Sequence, residues 1–205
     1  MKRYHYPKWL RLFYPGSIWG LPSSDQSVLY LTFDDGPSDL SSNWILDELR
    51  KYKASATFFC IGEQVLDYPK LFEKIMADGH AVGNHSMTHL KGLKSSTNGY
   101  INDVLEARKH IDSALFRPPY GSLKRKQFNT LKRHGFQTVF WSFMAYDFDD
   151  QLNVDVVLSK MKQTLKSGDI IVFHDSEKAL PQLKQLLPEV LKYYHAKGFT
   201  FPSLS

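Results

Sequence analysis

From residue 28 onward, short apolar runs alternate with windows in which apolar side chains recur every three or four positions. The runs at 28–33, 56–61, 80–84, 115–116, 136–143, 169–173 and 199–201 are rich in β-branched and aromatic residues and read as strands. Helical spacing places Trp44, Ile45, Leu49 and Tyr52 on one face behind a cap at Ser41 or Ser42. A second face carries Leu71, Phe72, Ile75 and Met76 and stops at Gly79. Thr97 precedes Ile101, Val104, Leu105 and Ile111, and Val154, Val157, Leu158, Met161 and Leu165 run up to Gly168. Such alternation within one unit predicts an α/β fold with a parallel sheet, either doubly wound or closed as a (β/α) barrel. Residues 1–25 break the pattern, being rich in aromatic residues and proline, and read as an N-terminal arm packed on a domain spanning 26–205.

Both architectures place ligands at the carboxyl ends of the strands. Asp34 and Asp35, His85, Arg117, Asp147 and His174 each lie at or beyond the end of an apolar run, so one rim is expected to gather them. Composition fits a chain with a real core: 205 residues, 42% hydrophobic and 23% charged, exclude the disordered class. The single cysteine, Cys60, excludes an internal disulfide and reads as a buried, inert thiol. A net charge of +5 is too small to demand a polyanion. The basic clusters at Lys124, Arg125, Lys126, Lys132 and Arg133 read as a solvated helix face, and no nucleic-acid partner is expected. Arg11, Pro15 and Gly16 interrupt the apolar stretch from Trp9 to Leu21, so neither an export signal nor a membrane span is predicted, and a cytoplasmic location is the expectation.

The chemistry is carried by four short segments. In Thr32-Phe33-Asp34-Asp35-Gly36-Pro37, two carboxylates end a strand and point to opposite sides, so one can hold a metal while the other stays free as a base. His85 and His89, four apart, would share a face on a helical turn and with one Asp form a two-His, one-carboxylate set with room for water and substrate. That set suits zinc and also accepts cobalt, manganese or iron. Arg117, entering the rigid turn Pro118-Pro119-Tyr120-Gly121, is shaped to brace a carboxylate. His174, closing a buried-type strand, is placed to donate a proton, and Asp147 is a candidate hydrogen-bond partner that would favour its charged form. His5, His80, His110, His134 and His195 show no partner spacing.

In order and spacing, these segments resemble the polysaccharide deacetylases of the NodB-homology type, carbohydrate esterase family 4, over roughly residues 26–201. The resemblance implies a distorted (β/α) barrel of about seven parallel strands, and a divalent metal, usually Zn2+, with Co2+ or Mn2+ possible. It also implies release of acetate from acetylated amino-sugar polymers or oligomers of the chitooligosaccharide or peptidoglycan type. Residue by residue, Asp34 matches the base, Asp35, His85 and His89 the metal ligands, Arg117 the residue orienting the base, the Tyr120 backbone N–H an oxyanion donor, and His174 the acid. Asp147-Phe148 stands where the family usually has Asp-Trp, and Val172 where it usually has Leu; with Tyr120, Phe148 and Val172 are expected to line the acetyl pocket. An O-acetyl ester hydrolase of the acetylxylan type, a non-sugar amidase and a metal-dependent sugar-binding module stay open as alternatives. Polysaccharide substrates usually lie outside the cytoplasm, which leaves that location open too.

Overall fold

The structure, a computed structural model, describes residues 4–21 and 27–204. The expected boundary between arm and domain, at residues 25 and 26, lies outside the described residues. Seven strands form one sheet: Leu29–Asp34 (β1), Thr57–Cys60 (β2), Ala81–Asn84 (β3), Leu115–Phe116 (β4), Gln137–Thr138 (β5), Phe143–Met144 (β6) and Asp169–His174 (β7). Their order is β5-β4-β3-β2-β1-β7-β6, and every pairing is parallel. Around it lie Asp39–Arg50 (α1), Gly62–Asp67 (α2), Pro69–Ala77 (α3), Thr97–Arg108 (α4), Arg125–Arg133 (α5), Val154–Thr164 (α6) and Leu180–Ala196 (α7). No helix of the described residues is long and apolar enough to cross a membrane.

The connectivity forces the sheet to curl. β5 and β6 are its two edges, yet only residues 139–142 separate them in sequence. Laid flat, seven strands would put those edges roughly 29 Å apart, whereas so short a connection reaches about 18 Å at full stretch. The result is the distorted barrel that the motifs imply. The run at 136–143, expected as one strand, is therefore two, and the chain between them turns from one edge to the other. The N-terminal segment enters this seam: Ile18 bridges Val139 in parallel, Gly20 bridges Asp169 antiparallel, and the Met144 N–H donates to the Tyr4 carbonyl at 2.9 Å.

Alternation along the strands sorts side chains into two cores. Leu31, Phe33, Phe58, Ile171 and Phe173 face α1, α3, α6 and α7, with Phe33 stacked on Phe58 at 5.1 Å and on Phe173 at 5.6 Å between ring centroids. Phe59, Phe116, Ile170 and Val172 join Phe140 and Trp141 in the second core. Three local expectations change. Residues 199–201 form no strand; Thr200 only bridges Val28. α7 was not anticipated, because Pro188 interrupts an otherwise clear apolar stripe from Leu183 through Leu187 and Leu191 to Tyr194. Ser41 and Ser42 do not cap α1; Ser38 takes the N-cap position, and both serines turn inward to Asp175.

Phe33 has no solvent exposure and touches aromatic rings on both sides. Phe33→Ala is expected to lower unfolding free energy by about 3–5 kcal/mol in urea or guanidinium titration. A loss below about 1 kcal/mol would contradict this packing.

Candidate active site

β1 and β7 pair so that Asp34 is the register partner of His174. Both side chains therefore emerge side by side at the carboxyl ends of adjacent central strands, on the inward face that Thr32 and Val172 occupy one pleat below. Just beyond β1 the chain bends at Asp35, whose φ of 81° lies in the left-handed region. This bend brings the second carboxylate into the same cavity instead of sending it to the opposite face. Gly36 follows because nothing larger fits: a Cβ there would lie 2.1 Å from the Asp175 Oδ2.

Arg117 immediately follows β4 and is fully buried. A buried guanidinium is tolerated only if its N–H groups find acceptors. One terminal nitrogen donates to the Asp34 Oδ1 and to the Thr32 Oγ1, each at 2.7 Å; the other donates to the Phe140 carbonyl at 3.1 Å, and Nε to the Val139 carbonyl at 3.4 Å. Its Cζ lies over the Phe59 ring, 4.1 Å from the centroid. Asp34 is thus locked by one oxygen, and its Oδ2 lies 4.0 Å from the His85 Nε2.

His85 and His89 do meet, with ring centroids 5.0 Å apart, but not on a helical turn. The loop between them is irregular, with left-handed backbone at Ser86 and His89. Two side chains hold it, beside backbone bonds from the Gly62 and Glu63 N–H groups to the Ser86 and Met87 carbonyls. The Asn84 Oδ1 accepts from the Ser86 N–H, and Asp103 on α4 accepts from the Met87 and Thr88 N–H groups and the Thr88 hydroxyl. Backbone of this kind persists only where surrounding bonds dictate it.

The Asp35 Oδ1 lies 3.6 Å from the His85 Nε2 and 3.3 Å from the His89 Nε2. Donor atoms of these three residues all lie within 4.8 Å of one another, so the group could hold a metal ion. Ligands bound tetrahedrally at 2.0–2.2 Å from zinc sit about 3.4 Å from each other, which these spacings match. The His85 Nδ1 lies 2.8 Å from the Arg117 carbonyl oxygen, which can only accept, so Nδ1 carries the proton and Nε2 offers its lone pair to the cluster. Burial drives His85 down to about 4, against the pull of Asp34 and Asp35, and keeps the ring neutral as a ligand must be. Burial opposes the charge on Asp35, but the hydrogen bond from His89 and the charge of His174 hold its carboxyl well below the usual range.

His174 is tuned the other way. Its Nδ1 donates to the Asp147 Oδ1 at 2.8 Å, and its backbone N–H donates to the Asp147 Oδ2 at 2.8 Å. Burial lowers the imidazole, yet the charge and hydrogen bond of fully buried Asp147, with Asp35 and Asp34, raise it to about 9. Phe148 meets the ring edge-on at 4.7 Å.

Asp34, Asp35, His85, His89, Tyr120, Phe148 and His174 line one cavity of about 660 Å³. Arg117 and Asp147 lie buried behind its wall. Tyr120 has left-handed backbone (φ 60°), and its ring lies 4.6 Å from that of His89. Val172 departs from expectation: it is fully buried in the second core and is not among the lining residues, whereas its register partner Met144 is. Several contributors were not anticipated. Ser41 and Ser42 donate to the two oxygens of buried Asp175, whose N–H donates to the Asp34 carbonyl at 2.7 Å, tying α1 to the ends of β1 and β7. Burial pushes the Asp175 carboxyl up to about 7 despite the two hydroxyls. The arm also lines the cavity, through His5, Tyr6, Pro7, Trp9 and Leu10. A Cβ on Gly121 would strike the Tyr6 hydroxyl at 2.1 Å, so the arm and the Pro118-to-Gly121 turn fit only with glycine between them.

Residues 22–139 match the family model described as polysaccharide deacetylase. The chain is 36% identical over 194 residues to a peptidoglycan-N-acetylglucosamine deacetylase of Bacillus cereus, covering 91% of this chain and 90% of that protein. It is 30% identical over 211 residues to a chitooligosaccharide deacetylase of Sinorhizobium fredii, covering 93% and 94%. Among solved structures, the polysaccharide deacetylase Bc1974 from Bacillus cereus superposes with a TM-score of 0.74 at 31% identity, covering 88% of this chain and 93% of that one.

The opposite tuning of the two buried histidines is testable. Because His174 is raised in the folded protein, its contribution to stability is complete below pH about 6.5, its ordinary value, and is lost as pH rises through about 9. Asp147→Asn removes the charge that causes this. In NMR titration His174 is expected to fall by roughly 1 pH unit or more, and the loss of stability between pH 7 and 9 to flatten. A variant histidine still titrating near 9 contradicts the assignment.

Proposed function

The chain belongs to the polysaccharide deacetylase family, and we propose that it removes N-acetyl groups from amino-sugar polymers or oligomers of the peptidoglycan or chitooligosaccharide type, releasing acetate. One observation carries this reading. An acid held by Arg117 stands beside three residues that could hold a metal ion, and a histidine paired with Asp147 stands beside that acid in register. A binding module would have no use for the acid, its brace and the paired histidine together.

Asp35, His85 and His89 would hold the metal, and their nitrogen and oxygen donors suit Zn2+, with Co2+ or Mn2+ as substitutes. A divalent ion there supplies Lewis acidity toward water and the acetyl oxygen. The rest is the work of the chain's own groups. Asp34, fixed through one oxygen by Arg117, keeps its other oxygen toward the cavity and takes a proton from the water that attacks the acetyl carbon. The Tyr120 backbone N–H donates to the developing oxyanion, a contact typically contributing about 3 kcal/mol. With Nδ1 engaged by Asp147, His174 carries a second proton on Nε2 and delivers it to the leaving nitrogen as the carbon–nitrogen bond breaks. Acetate and a free amine result. Phe148 borders the acetyl pocket beside His174, a wall without the indole nitrogen that the family usually places there.

Zinc-loaded protein is expected to release acetate from N-acetylglucosamine oligomers or peptidoglycan fragments and to stop when a chelator strips the metal. Asp34→Asn is expected to slow release by about 10²–10⁴-fold while retaining zinc, measured by acetate assay beside metal analysis. Undiminished release in that variant, or in chelated protein, would overturn the reading.

A further inference from the structure

The arm supplies a wall of the cavity that the proposed chemistry leaves unused. Trp9 lies in the 3-10 helix Lys8–Phe13 and is 58% exposed, yet it borders the same cavity as Asp34, Asp35, His85 and His174. Its position is built rather than loose. Before it, Tyr4 pairs with Met144, the His5 Nδ1 lies 2.8 Å from the Ser142 carbonyl, and Tyr6 packs edge-on against Trp141 at 4.8 Å and Trp19 at 5.3 Å. After it, the Tyr14 hydroxyl donates to the Leu123 carbonyl at 2.6 Å, and Ile18 joins Val139. Phe13 meets the indole edge-on at 5.9 Å.

A large apolar ring at the mouth of a cavity, more than half exposed, suits a ligand with an apolar face and a polar rim. A pyranose ring is such a ligand: its axial C–H groups cover the indole while its hydroxyls stay hydrated. The cavity, at about 660 Å³, falls within the range that encloses ligands larger than one sugar. Lys178 on the same lining offers a donor to sugar oxygens.

Resting on the deacetylase reading, we infer that Trp9 is a specificity-determining residue, a stacking platform for a sugar ring that flanks the one being deacetylated. The enzyme therefore prefers chains to short substrates. Continuity of Trp9 with the site favours a glycan occupant over a lipid surface, for which exposed Leu12, Phe13 and Arg11 would be the contacts.

The experiment compares the hexamer and the monomer of N-acetylglucosamine as substrates and measures hexamer binding to metal-free protein by calorimetry. Trp9→Ala is expected to lower kcat/KM on the hexamer about three- to tenfold, chiefly through KM, to weaken hexamer binding equally, and to leave the monomer, which has no flanking ring, within about twofold. Trp9→Tyr is expected to recover most of the loss. An equal loss on both substrates, or no loss on the hexamer, overturns the inference, as does unchanged kinetics with weakened binding to anionic vesicles. If wild-type protein binds the hexamer through Trp9 but releases no acetate, the platform stands and the deacetylase reading falls.

Discussion

A guanidinium sealed from water must be surrounded by oxygen acceptors, and the upper half of this barrel is arranged to surround the one on Arg117. Its acceptors come from β1, through Thr32 and Asp34, and from residues 139 and 140, on the turn where the sheet curls back. Its own carbonyl oxygen fixes the tautomer of His85. One residue therefore couples closure of the sheet, orientation of the proposed base and presentation of a candidate metal ligand. Removing one partner of such a buried pair typically costs 3–5 kcal/mol, because the other charge is left stranded. The pair holds its place through that asymmetry more than through its own attraction.

Around this anchor, the same burial yields opposite chemistry in two histidines. His85, whose nearest hydrogen bond is to a neutral carbonyl, is pushed down to about 4 and stays neutral, as the proposed ligand role requires. His174, whose Nδ1 faces the buried Asp147 carboxylate, is raised to about 9 and stays a proton donor. Adjacent strands deliver both the proposed acid and the proposed base because parallel register sets Asp34 and His174 side by side. Left-handed backbone at Asp35, Ser86, His89 and Tyr120 gathers at this rim, and neighbouring hydrogen bonds such as those to Asp103 and Asn84 maintain it.

The main chemical groups were legible in the sequence because each lies within a few residues of a strand end, where a parallel sheet collects side chains. Local signals sufficed for Asp34, Asp35, His85, Arg117 and His174. What stayed hidden depends on distant parts of the chain. Pairing of Ser41 and Ser42 with Asp175 spans more than a hundred residues, so the serines read as caps. The run at 136–143 looks like one strand because nothing local reveals that its two ends belong to opposite sheet edges. Pro188 hid α7, and a missing period hid the arm's place in the cavity wall, where burial against Trp141 and Phe140 supplies the order that its own sequence lacks. Val172, adjacent in pattern to the acid histidine, belongs to the core one pleat below.

The proposed function depends on a metal held by Asp35, His85 and His89 while Asp34 stays unligated on Arg117. Anomalous diffraction at the zinc edge, from crystals grown with excess zinc, tests this most directly. The account predicts one strong peak at about 2.0–2.2 Å from an Asp35 oxygen and from the Nε2 atoms of both histidines, with Asp34 still accepting from Arg117. A peak centred elsewhere, or an Asp34 released from Arg117 to become a ligand, would contradict it.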